Sequence, residues 1–208
     1  LEAMLATFDR FENVGAVCSK LLFEDGVLQE AGGIVWQDGS AWNWGRGENS
    51  DDPRFNYPRS VDYGSAASLL VDAEIWGTLG GFDEQFAPAY YEDTDLCFAI
   101  RALGKRVIYQ PGAAVTHFEG VSHGTDTGSG LKSYQVANQS KFLEKWSQEL
   151  KGHRANGVEP MLERDRGASA RVLWVEACML TPNQDSGSLR TFRLLRILAK
   201  MGCKVTFI

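Results

Sequence analysis

Glu92, Asp93 and Asp95 follow two tyrosines and precede Leu96, Ala99, Ile100 and Leu103, an apolar face that ends at Gly104. The spacing predicts a helix over 92–103 with three carboxylates in its first turn. Unpaired backbone N–H groups and the helix dipole keep acids there ionised and pre-oriented. A carboxylate held in that way can take a proton from an attacking hydroxyl, and the same side chains can also serve only as caps. Upstream, Gly80-Gly81-Phe82-Asp83-Glu84-Gln85-Phe86 makes a glycine turn between apolar residues. His117 follows Val115-Thr116 at the end of an expected strand, where an imidazole can meet a metal ion or hydrogen-bond at a sheet edge. His123 lies in a Ser/Gly/Thr-rich stretch over 122–130. Trp36, Trp42 and Trp44 surround the start of a long aperiodic stretch, 37–60, and either cover a core edge or line a groove in which an indole stacks on a sugar ring.

These residues need a frame. A helix over 1–12, a strand over 14–22, and a second strand over 32–36 across the turn Glu24-Asp25-Gly26 open the chain. Small residues at 64–68 precede a buried strand at 69–71, and Asp72 caps a short helix that ends at Gly80-Gly81. A short strand over 106–110 is closed by Pro111-Gly112, and a long helix covers 133–150. Residues 151–168 are charged, carry Gly152, Gly157, Pro160 and Gly167, and read as a linker. Strand 171–175, helix 189–201 and strand 202–208 then make one βαβ unit. The helix without a start signal and the parallel sheet barely begun at Ile208 predict a longer natural chain on both sides.

The chain has 208 residues and a net charge of −6, which disfavours broad contact with nucleic acid. No run of eighteen apolar residues predicts a membrane span. The start Leu1-Glu2-Ala3-Met4-Leu5 lacks the basic and apolar regions of a signal peptide. Cys18, Cys97, Cys178 and Cys203 are widely spaced among apolar residues, the pattern of buried reduced thiols. Together these point to a cytoplasmic setting, the inner face of the membrane included.

In order, Gly80-Gly81-Phe82-Asp83-Glu84, Glu92-Asp93-Thr94-Asp95-Leu96-Cys97, and Val115-Thr116-His117 with Ser122-His123-Gly124 resemble the C-terminal half of the large inverting glycosyltransferase family (family 2) that includes bacterial rhamnosyltransferase-like enzymes. The resemblance covers about residues 1–150. It implies an α/β fold: a partial GT-A mixed sheet with helices, carrying the acceptor side of the enzyme. It also implies that the Glu92-Asp93 pair supplies the general base, with Asp93 the expected base and Glu92 or Asp95 the alternatives that orient acceptor hydroxyls or hold the loop. Glu92, Asp95, Gly80 and Gly81 would belong to the acceptor side, and His117 would be the metal ligand found in some members. Trp42 and Trp44 would line the acceptor groove. The parent enzyme would use a nucleotide-sugar donor, a saccharide acceptor and a divalent cation, Mg or Mn. The family's donor-binding half, with its Asp-x-Asp element, has no counterpart here; Asp93-Thr94-Asp95 shares the spelling but lies in the acceptor-side motif. Residues 1–208 alone are therefore expected to lack transfer activity and tight metal or donor binding, and to self-associate through exposed sheet surface.

Residues 169–208, with Pro182-Asn183-Gln184-Asp185-Ser186-Gly187 between strand and helix, resemble the Rossmann-like opening of a GT-B (family 4-like) transferase. The rival to sugar transfer is a non-catalytic carbohydrate-binding or scaffold module, with Trp42 and Trp44 as its platform. Glycoside hydrolysis fits poorly, since Glu92 and Asp93 are adjacent rather than opposed across a cleft.

Overall fold

The structure, a computed structural model, describes residues 1–118 and 133–208; His123 and the stretch 122–130 lie outside the described residues. The chain divides into two compact units, Leu1–Val158 and Glu159–Ile208. In chain order the first contains α1 (Glu2–Arg10), β1 (Val14–Leu22), β2 (Leu28–Glu30), β3 (Gly33–Val35), β4 (Ala41–Asn43), β5 (Arg59–Ser60), β6 (Leu69–Val71), α2 (Ala73–Leu79), α3 (Glu92–Ala102), β7 (Arg106–Thr116) and α4 (Ser133–Lys145).

The residues of β1 from Gly15 to Leu21 are buried on both faces, as a central strand with layers on each side must be, and apart from Ser19 and Lys20 they are small or apolar. Ala16 and Cys18 join the larger core with Leu96, Cys97 and Ile100 of α3, whereas Val17 joins Met4 of α1 on the opposite face. β7 alternates in the same sense, Val107 and Tyr109 facing α3 and Ile108 facing Met4. The sheet is mixed. β1 runs parallel to β7 and antiparallel to β2 and β6, and β5 pairs antiparallel with β7.

Three expectations need correction. The strand expected over 32–36 does not pair with β1. Leu28–Glu30 does, and Gly33–Val35 turns away to form a hairpin with Ala41–Asn43, Ile34 lying opposite Trp42. The aperiodic stretch 37–60 is thus largely built: it holds β4, a 3₁₀ turn over Pro53–Phe55 and β5, and the Lys20 ammonium ties it down by donating to the Ser50 carbonyl, 3.0 Å. Pro111-Gly112 does not end a strand. β7 continues to Thr116 through a bulge, its register against β1 jumping from Ser19↔Gln110 to Lys20↔Ala114. Pro111 has no N–H for the ladder, and the Gly112 N–H is taken by the Gln110 side chain at 3.0 Å.

α4 ends at Lys145, and a 3₁₀ turn over Glu149–Gly152 follows. His153, inside the expected linker, is buried and donates from Nδ1 to the Val35 carbonyl at 2.6 Å. The second unit contains α5 (Pro160–Arg164), β8 (Arg171–Trp174), α6 (Ser186–Lys200) and β9 (Lys204–Phe207), with β8 and β9 parallel. α6 starts earlier than the apolar periodicity suggests because the Asp185 carboxylate caps it, accepting the Ser188 N–H at 2.7 Å. Of the four free cysteines, Cys18 and Cys97 are buried as expected, Cys203 is half-buried, and Cys178 is exposed. No helix among the described residues is long and apolar enough to cross a membrane.

One polar clamp joins α3 to α4. Asp95 is only 2% exposed and accepts the Trp146 indole N–H at 2.7 Å and the Lys145 ammonium at 2.8 Å. Lys145 also donates to Asp83 at 2.7 Å, so one ammonium bridges the glycine-turn segment and α3. The bridge and the Gln85 N–H hold the Asp83 carboxyl down to about 2. Asp95→Ala leaves the indole N–H of the half-buried Trp146 unpaired and removes one of the two carboxylates that hold the Lys145 ammonium. The expected loss is about 2–3 kcal/mol in urea unfolding, and a loss below about 0.5 kcal/mol would show that the clamp is dispensable.

Candidate functional site

Two left-handed tyrosines bring the chain into α3. Tyr90 and Tyr91 both have φ of 73°, a conformation bulky residues adopt only under constraint. The constraint is visible. The buried Asn138 amide of α4 donates to the carbonyls of Phe86, Ala89 and Tyr90 at 2.8, 2.9 and 3.0 Å, and the Tyr91 hydroxyl donates to the Gly39 carbonyl at 3.0 Å. α3 therefore starts without a side-chain cap, directly at Glu92 and Asp93.

Asp93 turns back onto the segment Gly64–Ala67. Its Oδ2 accepts the Ala66 N–H at 3.0 Å, and its Oδ1 accepts the Thr94 N–H at 2.7 Å and the Thr94 hydroxyl at 3.2 Å. Three donors leave one of the roughly four lone-pair sites of a carboxylate unused. Burial raises the Asp93 carboxyl above its ordinary range, against the lowering effect of the Ala66 and Thr94 donors.

The neighbouring N–H of the same turn, Ser65, is held by a residue the sequence did not single out. Glu30 of β2 is 1% exposed and accepts that N–H at 3.0 Å through Oε1. Its carboxyl is pushed up to about 8, chiefly by burial; the Ser65 N–H lowers it, the Asp93 charge raises it, and Arg46 and Arg59 lower it. The turn itself is packed tightly from below: the Cys97 thiol reaches the Gly64 carbonyl at 3.9 Å, and a Cβ on Gly64 would lie 2.2 Å from Cys18 Cβ. Burial and the nearby acids raise the Tyr63, Cys18 and Cys97 groups, so all three are neutral at physiological pH.

The remaining predicted residues are spread around this centre. Glu92 is half-buried at the first position of α3. Asp95, one turn on, has both oxygens engaged by Trp146 and Lys145. Gly80 and Gly81 end α2 with φ of 77° and 84°, both N–H groups donating to the Trp76 carbonyl. Through Asp83, Lys145 and Asp95 the turn they start is tied to α3. Trp44 packs half-buried against the core beside Phe55, whereas Trp42 is 41% exposed and stands edge-on to the buried Trp36, ring centroids 4.9 Å apart.

His117 is placed elsewhere. Its Nδ1 meets Gln29 Oε1 at 2.9 Å; a carbonyl-type oxygen can only accept, so Nδ1 is the donor in this contact. Gln29 and Glu30 are consecutive on β2 and project to opposite faces, one to His117 and the other to the Ser65–Ala66 turn. Among the described residues no group of three or more His, Cys, Asp or Glu side chains is arranged to hold a metal ion. His117 offers one ligand of the several a divalent cation requires.

Glu30, Asn138 and Lys145 were missed by sequence reasoning. The alternation along Leu28-Gln29-Glu30 gives no sign that its carboxylate faces inward, and Asn138 and Lys145 lie on one helix whose polar residues resemble a solvated face.

No protein-family model matches the chain. Relatives match parts of it. An uncharacterised protein of Sinorhizobium fredii is 31% identical over 128 residues, 60% of this chain and 14% of its own length. The O-antigen biosynthesis protein RfbC of Myxococcus xanthus is 32% identical over 118 residues, 54% of this chain and 9% of its own length. The N-acetylglucosaminyl-diphospho-decaprenol L-rhamnosyltransferase of Mycobacterium tuberculosis is 37% identical over 76 residues, 36% of this chain and 24% of its own length. The chain is thus similar, over part of its length, to proteins of glycosyl transfer and O-antigen biosynthesis, and the match spans at most 24% of any of these three.

The close approach at Gly64 generates a test of the site's frame. Gly64→Ala forces the turn away from Cys18 and weakens the grip of both carboxylates; about 2–3 kcal/mol of stability is expected to be lost. Unfolding indistinguishable from wild type would mean that the turn is free to move.

Proposed function

We propose that this chain is the acceptor side of a GT-A, family 2-like glycosyltransferase that transfers a sugar from a nucleotide-sugar donor to a saccharide acceptor with inversion. The observation that carries the reading is Asp93: a partly buried carboxylate at the start of α3, fixed by three donors, with basicity raised by burial and a lone pair unused. The partial relatives named for rhamnosyl transfer and O-antigen biosynthesis support it. In this reading Asp93 takes the proton of the acceptor hydroxyl as the hydroxyl oxygen bonds to the anomeric carbon. The bond from that carbon to the diphosphate breaks on the opposite face, and the electron pair leaves with the nucleotide. Glu92 orients acceptor hydroxyls beside the base, and the Gly80-Gly81 segment and Trp42 border the acceptor; Asp95 supports the site through α4.

In the parent enzyme a divalent cation, Mg or Mn, would neutralise the diphosphate. The described residues supply too few ligands to hold it. Among the described residues His117 is the ligand the chain would contribute, and residues 1–208 alone are expected to be inactive. Residues 1–150 would be the acceptor-side part and 151–168 a linker. Residues 169–208 would open a GT-B-like domain with β8 and β9 parallel; a cleft of about 690 Å³ lies there between the end of β8, the loop that follows it and the start of α6, lined by Trp174, Glu176, Asp185, Ser188 and Arg190. A cytoplasmic place at the inner membrane face suits such an enzyme. Self-association through bare sheet gains no support from β1 and β7, whose central residues are covered on both faces.

The second reading, a saccharide-binding module without catalysis, rests on the exposed edge of Trp42. Asp93→Asn in the full-length protein separates the two, because it keeps size and loses basicity. A drop in sugar transfer of at least about 10²-fold with unfolding nearly unchanged is expected. Full turnover in that variant would remove the base, and saccharide binding lost in Trp42→Ala without any transfer by wild type would favour the module.

A further inference from the structure

Glu30 has no role in the chemistry above, and it is the most deeply buried carboxyl in contact with the candidate site. One oxygen takes the Ser65 N–H; the other, Oε2, is buried with no hydrogen-bond partner among the described residues. An ionised oxygen left without donors in the interior is strongly disfavoured. The groups that face Glu30 come from every neighbouring element: Asp93 and Cys97 from α3, Cys18 from β1, Tyr63 beside the turn, Arg59 from β5 and Arg46 after β4. Arg59 is itself engaged with the Ala31 carbonyl at 2.7 Å. Glu30 and Asp93 hold consecutive N–H groups of one turn, and two carboxylates so placed do not both ionise readily.

Resting on the reading of Asp93 as the base, we propose that Glu30 is a positioning residue for it: a neutral carboxylic acid that fixes the Ser65–Ala66 turn and leaves the pair's single negative charge on Asp93. The proton remains on Glu30 throughout turnover, and no bond to substrate is made there. Ionising Glu30 would place a second charge beneath the turn, loosening it and perturbing Asp93.

The sign of the pH dependence follows. The folded chain holds the Glu30 proton more tightly than the unfolded chain, with a pKa of about 8 against 4.5, so stability contributed by Glu30 is full below about 4.5 and is lost as pH rises towards 8. Two measurements test this. The first is a ¹³C-carboxyl titration of the wild-type 208-residue chain, with Glu30 assigned through the backbone. Its resonance is expected to move near pH 8; movement near 4.5 overturns the proposal whatever the turnover. The second is the pH profile of sugar transfer by the full-length protein. Wild type is expected to lose turnover on an alkaline limb near pH 8, while Glu30→Gln, neutral at every pH and able to accept the Ser65 N–H, keeps wild-type turnover at pH 7 to within about threefold and lacks the limb. An alkaline limb unchanged in Glu30→Gln overturns the positioning role. Wild type without transfer at any pH, but with the Glu30 resonance moving near pH 8, refutes the transferase reading and leaves the proton on Glu30.

Discussion

Burial of β1 on both faces is the constraint from which the first unit is assembled. A strand without a solvent side must receive α1 on one face and α3 on the other, and its hydrogen-bonding edges must be filled by β7 on one side and by β6 and β2 on the other. Because β6 and β2 share one edge of β1 end to end, the chain between them has to leave that edge and return, passing through β5 beside β7 on the way. The β3–β4 hairpin, the 3₁₀ turn after Asp52 and the Gly64–Ala67 turn are that excursion. The candidate site lies where the excursion returns, so its geometry follows from the crowding around β1.

Within that frame the turn over Gly64–Ala67 has few intramolecular backbone partners, and carboxylates supply them. Asp93 comes from a helix start held by Asn138 and Glu30 from an inner strand, so the turn joins α3 to the sheet through two acids on consecutive N–H groups. The arrangement stabilises the turn only while the two acids do not both carry charge, since the surroundings are apolar: Cys18, Cys97 and Tyr63 lie beneath and remain neutral. Structural support and acid–base character are here the same feature. The donors that order Asp93 also hold its basicity in check, and burial raises it.

What was legible in the sequence is what local rules encode. Acids ahead of an apolar-periodic stretch placed α3 at Glu92, Gly80-Gly81 marked the end of α2, and the small residues at 64–68 marked a close approach, which Gly64 against Cys18 explains. The misplaced strand over 32–36 came from reading Gly32–Trp36 as one partner of β1. The Asp38-Gly39 pair between apolar stretches carries the hairpin signal that sends β3 to β4 instead. Glu30 and Asn138 were illegible for a different reason. Their importance depends on partners 35 and 48 to 52 residues away, and nothing in their immediate neighbours marks a polar side chain as buried.

The alternation of β2 separates two kinds of chemistry. Gln29 accepts from the His117 Nδ1 on one face, and Glu30 holds the turn beside Asp93 on the other, although the two residues share a peptide bond. A slip of one residue in β2 would exchange them, sending a carboxyl to the imidazole and an amide to the turn. Three residues of strand would resist such a slip poorly by themselves. The irregularity between Leu21 and Leu22 and the Arg59 guanidinium on the Ala31 carbonyl, just past Glu30, fix the register from both strands. The register of this short strand therefore decides whether an acid or an amide stands beside Asp93, and it is held by an irregularity in β1 and a cation on β5 rather than by any residue of the acidic motif.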